Sequence, residues 1–322
     1  MNSFGRNIRV SIFGESHGAG IGVIIDGVPA GVELTEADFD ADIARRASGA
    51  LGTTPRKEAD RPEVLSGLLN GHTTGTPLTI IFRNGNTRSG DYSQFMDLPR
   101  PGHADRVAAV KWNGFNDPRG GGHFSGRITL PVVAAGVVAK KILGGISIKA
   151  ELTEIGGETN RENWKDLLNR TIAEGDSLGG IIECRTNGLP VGLGGPFFDS
   201  MESLLSHAMF SIPGIRGVEF GDGFAASRMK GSEHNDPYVD GRPAKNGAGG
   251  INGGLTNGEE LVFRIAVKPT ASIARAQSTW NFKNGSMDTL EVKGRHDVCF
   301  ALRTPVIVEA MTALVLADQL VK

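Results

Sequence analysis

The sequence is poor in cysteine, in export signals and in long apolar runs, and each shortage removes a class of protein. Two cysteines, Cys184 and Cys299, cannot build a disulfide framework in 322 residues, and neither stands at a metal-ligand spacing. A reduced, cytoplasmic setting is the expectation. Residues 1–6 hold no apolar core of signal-peptide length. The longest apolar run, 130–139, is too short for a membrane span and stops at Lys140-Lys141. Excess charge is missing too. With 34 basic and 36 acidic residues the net charge is −2, without the basic footprint of a nucleic-acid binder. No P-loop occurs, and Gly18-Ala19-Gly20-Ile21-Gly22 is not a dinucleotide fingerprint.

Glycine is plentiful instead, with 46 residues gathered in clusters such as Gly120-Gly121-Gly122, Gly249-Gly250 and Gly253-Gly254. Loops of that kind bring backbone N–H groups close to a ligand. With 39% hydrophobic and 22% charged residues, the chain can bury a core. No linker or repeat divides it, so one domain over 1–322 is expected. The charge is uneven: segments 45–61 and 99–127 each carry five basic residues against two acidic ones. Two basic segments in an otherwise acidic chain suit a small polyanion, or are simply two solvated basic surfaces.

Periodicity predicts strands over 7–13, 21–25, 64–65, 77–82, 147–155, 181–185 and 261–267. Thr35 with Asp38 marks a helix start, with Phe39, Ile43 and Ala47 on its buried side. Further helices are expected up to Trp112, over 128–143, over 161–174 with Trp164, Leu167, Leu168 and Ile172 on one face, and over 201–210 and 306–320. The stretch 230–250 reads as a polar, mobile loop. The order lacks strict βαβ alternation, which points to α+β layers rather than a doubly wound sheet.

The candidate chemistry begins at Phe13-Gly14-Glu15-Ser16-His17-Gly18, which follows the first long strand. Gly14 to Gly18 matches G-x-S-x-G, the serine-hydrolase elbow. Only 13 residues precede Gly14, which leaves no room for the sheet strands and oxyanion loop of such a hydrolase. A hydrolase using Ser16 is therefore the minor alternative. His17, His103 and His123 lie in glycine-rich turns, and His296 stands beside Asp297. An imidazole exchanges a proton near neutrality. Arginines bind carboxylate and phosphate through paired hydrogen bonds. Lys268, Thr270 and Ser272 at a strand end can hold a further phosphate.

Together with Arg100-Pro101-Gly102-His103-Ala104-Asp105, Asp117 to Gly122 with Ser125 and Arg127, Gly249 to Gly254, Lys268-Pro269-Thr270 and Gly294-Arg295-His296-Asp297, the opening turn resembles the chorismate synthase family, in order and over nearly the whole chain. The resemblance implies a layered β-α-β sandwich, a homotetramer and a phosphate-lyase. The reaction implied is anti-1,4-elimination of phosphate from 5-enolpyruvylshikimate-3-phosphate to chorismate, the last step of the shikimate pathway, with reduced FMN. Whether an external reductant or intrinsic NADPH oxidation reduces the flavin stays open.

By matching position, His17 looks like the acid for phosphate departure and His103 like the group that protonates reduced flavin near N1. Ser16 with Asp297 resembles a relay from flavin N5. Arg46, Arg56, Arg100 and Arg127 look like substrate ligands. Ser125, Gly253, Lys268, Pro269, Thr270, Ala271, Ser272 and Arg295 look like FMN contacts. The chain departs from the family pattern at Ala47-Ser48, His123-Phe124, Ile128, Pro213-Gly214 and the loop around Gly52. Those departures leave a second alternative, a non-catalytic flavin- or phosphate-binding protein on the same scaffold.

Overall fold

Alternating apolar residues lay down the first sheet. In the computed structural model, which describes residues 2–56, 58–86, 89–292, 294 and 296–321, the chain opens with β1 (Ser3–Phe4), β2 (Arg9–Gly14) and β3 (Gly20–Asp26). Next come α1 (Asp40–Arg46), β4 (Glu63–Ser66), a small tongue of β5 (Leu68–Leu69) and β6 (His72–Thr73), and then β7 (Leu78–Arg83). The first sheet runs β1-β2-β3-β7-β4, antiparallel throughout. Ile21, Val23 and Ile25 of β3 and Leu78, Ile80 and Phe82 of β7 are buried on one face, the period-2 pattern of a half-covered sheet.

After α2 (Asp105–Lys111) and α3 (Thr129–Leu143) comes a second sheet built from β8 (Ser147–Ile155), β9 (Gly180–Asn187), β10 (Ile215–Phe220) and β15 (Leu261–Val267), in the order β10-β15-β9-β8 and again antiparallel. Between these lie α4 (Trp164–Glu174), α5 (Met201–Ser211), α6 (Gly231–His234) and the hairpins β11 (Tyr238–Val239) with β12 (Arg242–Pro243), and β13 (Ile251–Asn252) with β14 (Leu255–Thr256). A last hairpin, β16 (Gln277–Asn281) with β17 (Ser286–Leu290), precedes α7 (Pro305–Leu320). Helix α3 packs on the first sheet, α7 on the second, and the two helices pack on each other. The result is the expected α+β sandwich, sheet-helix-sheet. Every residue of α7 from Val306 to Asp318 is buried, and all but Glu309, Thr312 and Asp318 are apolar, as expected of a helix covered on all sides. Among the described residues no helix is long and apolar enough to cross a membrane.

Three local expectations are corrected. The capping box at Thr35 and Asp38 forms, but α1 stops at Arg46, so Ala47 is exposed and Arg46 takes the buried place. In α4, Ile172 is 44% exposed while Thr171 is buried, its hydroxyl bonded to the Leu167 carbonyl. The stretch 230–250 is not a plain loop. It carries α6 and the β11–β12 hairpin, and Asp236 accepts the backbone N–H groups of Lys245 and Gly247.

Two buried carboxylates on α7 tie distant parts together. Glu309 accepts from Arg45 of α1 at 2.7 Å, Lys140 of α3 at 2.9 Å and the Ala150 N–H of β8 at 3.0 Å. Asp318 Oδ1 accepts the N–H groups of Arg6, Asn7 and Ile8 at 2.6–2.9 Å. Burial alone would raise the Glu309 carboxyl, but Arg45, Lys140 and the Ala150 N–H outweigh it and lower its pKa. Glu309→Ala leaves two cations that still reach solvent, so we expect a loss of about 2–3 kcal/mol in denaturant unfolding at pH 7, the scale of hydrogen bonds to charged groups. A carboxylate lowered on folding stabilises above its unfolded pKa of about 4.3 and less as pH falls below it. The gap between wild type and variant should therefore narrow in acid. A gap constant from pH 7 down to pH 3 would show that the charge is not responsible.

Candidate active site

Strand β2 ends at Gly14, whose φ of +93° starts a sharp turn closed by the Gly18 N–H on the Glu15 carbonyl at 3.0 Å. Ser16, at the turn, is wholly buried, and His17 is 8% exposed. Ser16 Oγ accepts from Arg56 Nη1 at 3.1 Å, and Arg56 is paired with Glu58 at 2.7 Å. A hydrolase elbow presents an open hydroxyl to a base. Here a guanidinium closes the hydroxyl off, which removes the hydrolase reading. The His17 ring meets Tyr92 edge-on at 5.2 Å. Burial first, then the charges of Arg56 and Arg119, lower the His17 pKa, so the ring favours its neutral form at pH 7.

The triple glycine passes between the two predicted histidines. Gly120, Gly121 and Gly122 have φ of 61°, 81° and 54°. A Cβ on Gly120 would lie 2.5 Å from His17 Cδ2 and 2.7 Å from Ser16 Oγ, and one on Gly121 would lie 3.5 Å from His103 Nε2. His103 Nδ1 is 2.6 Å from Asp105 Oδ1. Arg100 Nη2, which only donates, also lies 3.1 Å from Nδ1, but the carboxylate, which only accepts, is the nearer partner, so we assign the proton to Nδ1 and the proton exchange to Nε2. Arg100 clamps the same carboxylate through Nε at 2.8 Å and Nη2 at 2.7 Å, while its Nη1 donates to Ser272 Oγ at 2.9 Å. Burial would raise Asp105, but Arg100 and His103 hold it well below the usual carboxylate range. The guanidinium of Arg100 is thus engaged within the protein, fixing His103.

A second cluster forms where α1 meets the start of α3. Asp60 accepts from Arg127 Nη1 at 2.8 Å and pairs with Arg46 Nη1 at 3.3 Å, so one carboxylate serves two buried arginines. Burial, then the nearby Arg303, pushes Arg46 down to about 9. Asp297 accepts from Arg303 at 2.8 Å and from the Thr54 N–H at 2.9 Å. Ser16 and Asp297 therefore have different partners and no hydrogen bond to each other.

The facing wall comes from the segment after β15. Lys268 Nζ donates to the Gly102 carbonyl at 2.7 Å, and burial, then Arg216, lowers its pKa. Thr270 Oγ1 is buried without a hydrogen-bond partner. The Ser125 hydroxyl caps the turn before α3 by accepting the Arg127 N–H at 3.3 Å. All of these surround one cavity of about 410 Å³, lined by six arginines and Lys268 against Glu58, Asp60 and Asp297. His17, His103, His296, Arg46, Arg56, Arg100, Arg127, Ser125, Asp297 and residues 268–272 all line it, and Ser16 lies just behind. Gly253 does not; it forms the β13–β14 turn at φ +61°. Arg295 lies outside the described residues. Cationic surplus, a lysine and an orphaned threonine hydroxyl fit a flavin phosphate and a second polyanion.

Of the positions at which the chain departs from the expected pattern, Ser48, Phe124, Pro213 and Gly214 line the same cavity, and Ala47, His123, Ile128 and Gly52 do not. His123 Nδ1 bonds the Gly14 carbonyl at 2.8 Å, Phe124 packs on Trp112 with ring centroids 5.8 Å apart, and Pro213-Gly214 line the wall beside Lys268. Sequence reasoning missed Asp60, Arg216, Arg303 and Tyr92. Asp60 stood in a basic segment, a weak signal for a shared counter-ion; the other three carried none.

A family model described as chorismate synthase matches residues 8–321. The chain is 60% identical to a chorismate synthase of Chitinophaga pinensis, covering 99% of this chain and 96% of that protein. It is 45% identical to one from Korarchaeum cryptofilum, covering 99% and 97%. A crystal structure of a chorismate synthase, 26% identical, superposes with a TM-score of 0.74 over 98% of this chain and 92% of the other.

Proposed function

This chain belongs to the chorismate synthase family, and from that premise we propose that it converts 5-enolpyruvylshikimate-3-phosphate to chorismate by anti-1,4-elimination of phosphate, as a homotetramer dependent on reduced FMN. The observation that supports this most is the placing of His17 and His103 on one cavity with a surplus of fixed cations. Reduced FMN, when bound, supplies transient electron density that lets phosphate leave and an unactivated C–H bond break without net redox change.

Each residue's part follows from its surroundings. Lys268, Thr270, Ser272 and Ser125 hold the flavin's polar groups, with Pro269 and Ala271 shaping the wall. His103, its Nδ1–H fixed on Asp105, would exchange a proton at Nε2 on the side of the cavity where the flavin would be held. Arg46 and Arg127 hold the substrate's anionic groups, with Arg56, paired to its own Glu58, the weaker ligand. Arg46 and Arg127 share one carboxylate and so retain net positive charge. Arg100 contributes less to binding than to fixing Asp105 and His103. His17 donates to the departing phosphate. Ser16 and Asp297 need a carrier between them if they relay a proton. Arg56, the partner of Ser16 Oγ, cannot be that carrier because a guanidinium keeps its protons.

The test is phosphate release from 5-enolpyruvylshikimate-3-phosphate under anaerobic conditions with reduced FMN. Multiple turnovers above a no-enzyme control are expected. Flavin bound with no release would instead support a non-catalytic flavin-binding protein.

A further inference from the structure

We propose that Asn84 is a positioning residue that ties the His17 turn to the Arg127–Asp60–Arg46 cluster, so that the proton donor and the anion ligands keep one fixed separation. This rests on the function proposed above. Asn84 follows β7, and its backbone N–H donates to the Ala19 carbonyl at 3.3 Å. Its Nδ2 donates to the carbonyls of Glu15 at 3.0 Å and Gly18 at 2.9 Å, one at each end of the turn that carries Ser16 and His17. Its Oδ1 accepts from Arg127 Nε at 2.6 Å. Both amide hydrogens meet carbonyl oxygens and the amide oxygen meets a guanidinium, so the partners themselves fix the carboxamide's orientation. Arg127 passes the link on to Asp60, and Asp60 to Arg46. Asn84 does not line the cavity, so it acts through the groups it holds.

The chemistry of the side chain separates the two halves of the link. Asn84→Asp keeps an acceptor for Arg127 but sets carboxylate oxygen against two carbonyl oxygens, so the turn opens while the arginine stays held. We expect kcat to fall by roughly 10²-fold, the cost of misplacing a reacting group by about an ångström. KM should stay within about threefold of wild type. Asn84→Ala removes both halves, so kcat should fall and KM rise together. Should the Asp variant fail to fold, the Ala variant decides: a kcat within twofold of wild type overturns the proposal. An Asp variant with lowered Tm but wild-type kcat shows a structural role only and also overturns it.

A readout independent of turnover keeps this apart from the proposed function. By NMR titration, the His17 imidazole should titrate at higher pH in Asn84→Asp than in wild type. The ring is faced by Arg56 and Glu58, by Asp117 and Arg119 of the loop before α3, and by Tyr92. Opening the turn hydrates the ring and adds a carboxylate, and both favour the imidazolium. An unchanged His17 titration overturns the link even if the wild-type enzyme proves inactive on the proposed substrate. Wild-type inactivity with a shifted titration overturns the function while sustaining the link.

Discussion

His17→Ala is expected to lower kcat by roughly 10²–10⁴-fold, the usual contribution of a positioned acid or base, with little change in Tm. Burial and the charges of Arg56 and Arg119 keep the ring below its ordinary pKa. A phosphate dianion set beside it reverses that balance, because an adjacent negative charge favours the imidazolium. Substrate binding near pH 7 should therefore take up a proton, which then serves the leaving group. In the complex, kcat should fall as pH rises through the raised His17 pKa, since the acid form is lost there. That alkaline limb should be missing from His17→Ala. Phosphate release measured from pH 6 to 9 checks both points. A variant with wild-type kcat, or one that keeps the limb, would remove His17 as the acid.

Gly120→Ala should cost about 10²-fold in kcat through position alone. The added Cβ would stand 2.5 Å from His17 Cδ2 and 2.7 Å from both His17 Nε2 and Ser16 Oγ. The ring or the loop must move, and a shift of about an ångström has that effect on rate. Alanine also resists a φ of +61°, at a cost of about 1–2 kcal/mol. Gly31→Ala separates the two effects. Gly31 has φ +86° and nothing within 4 Å of the added carbon, so it shares the backbone strain without the clash. We expect a similar loss of Tm in both variants and a loss of kcat only in Gly120→Ala. Equal kcat in the two would mean that the triple glycine serves the backbone and not the histidines.

What could be read from the sequence was local. The turn at Gly14 to Gly18, the triple glycine and the capping box at Thr35 and Asp38 are each written within a few residues, and they formed as expected. The two central helices were legible because long apolar runs in a protein of this size have few places to go. The β16–β17 hairpin was not. Met287, Asp288 and Thr289 are exposed, leaving no alternation to detect. Strand β10 was hidden by a bulge between Ile215 and Gly217, which breaks its period. In the site, motif matching picked out residues most of which line one cavity, but not their partners. Asp60 pairs with arginines 14 and 67 positions away, and only the fold makes that pairing. The motif offered Arg100 as a substrate ligand and did not show that Asp105, five residues on, pairs with it. Spacing alone does not say which charges neutralise each other.

The carboxylate of Asp318 sets a timetable for making the enzyme. It supplies the acceptor for three consecutive N–H groups at Arg6, Asn7 and Ile8, some 310 residues earlier in the chain. Those groups lead directly into β2 and the His17 turn. On a ribosome adding roughly 5–20 residues per second, residues Arg6 to Ile8 are synthesised but stay unlatched for roughly 15–60 s, until α7 is made. The His17 turn is among the first parts translated and among the last secured, so a nascent chain stalled before α7 leaves the start of β2 unlatched and the face of the second sheet that α7 covers open for a chaperone to shield.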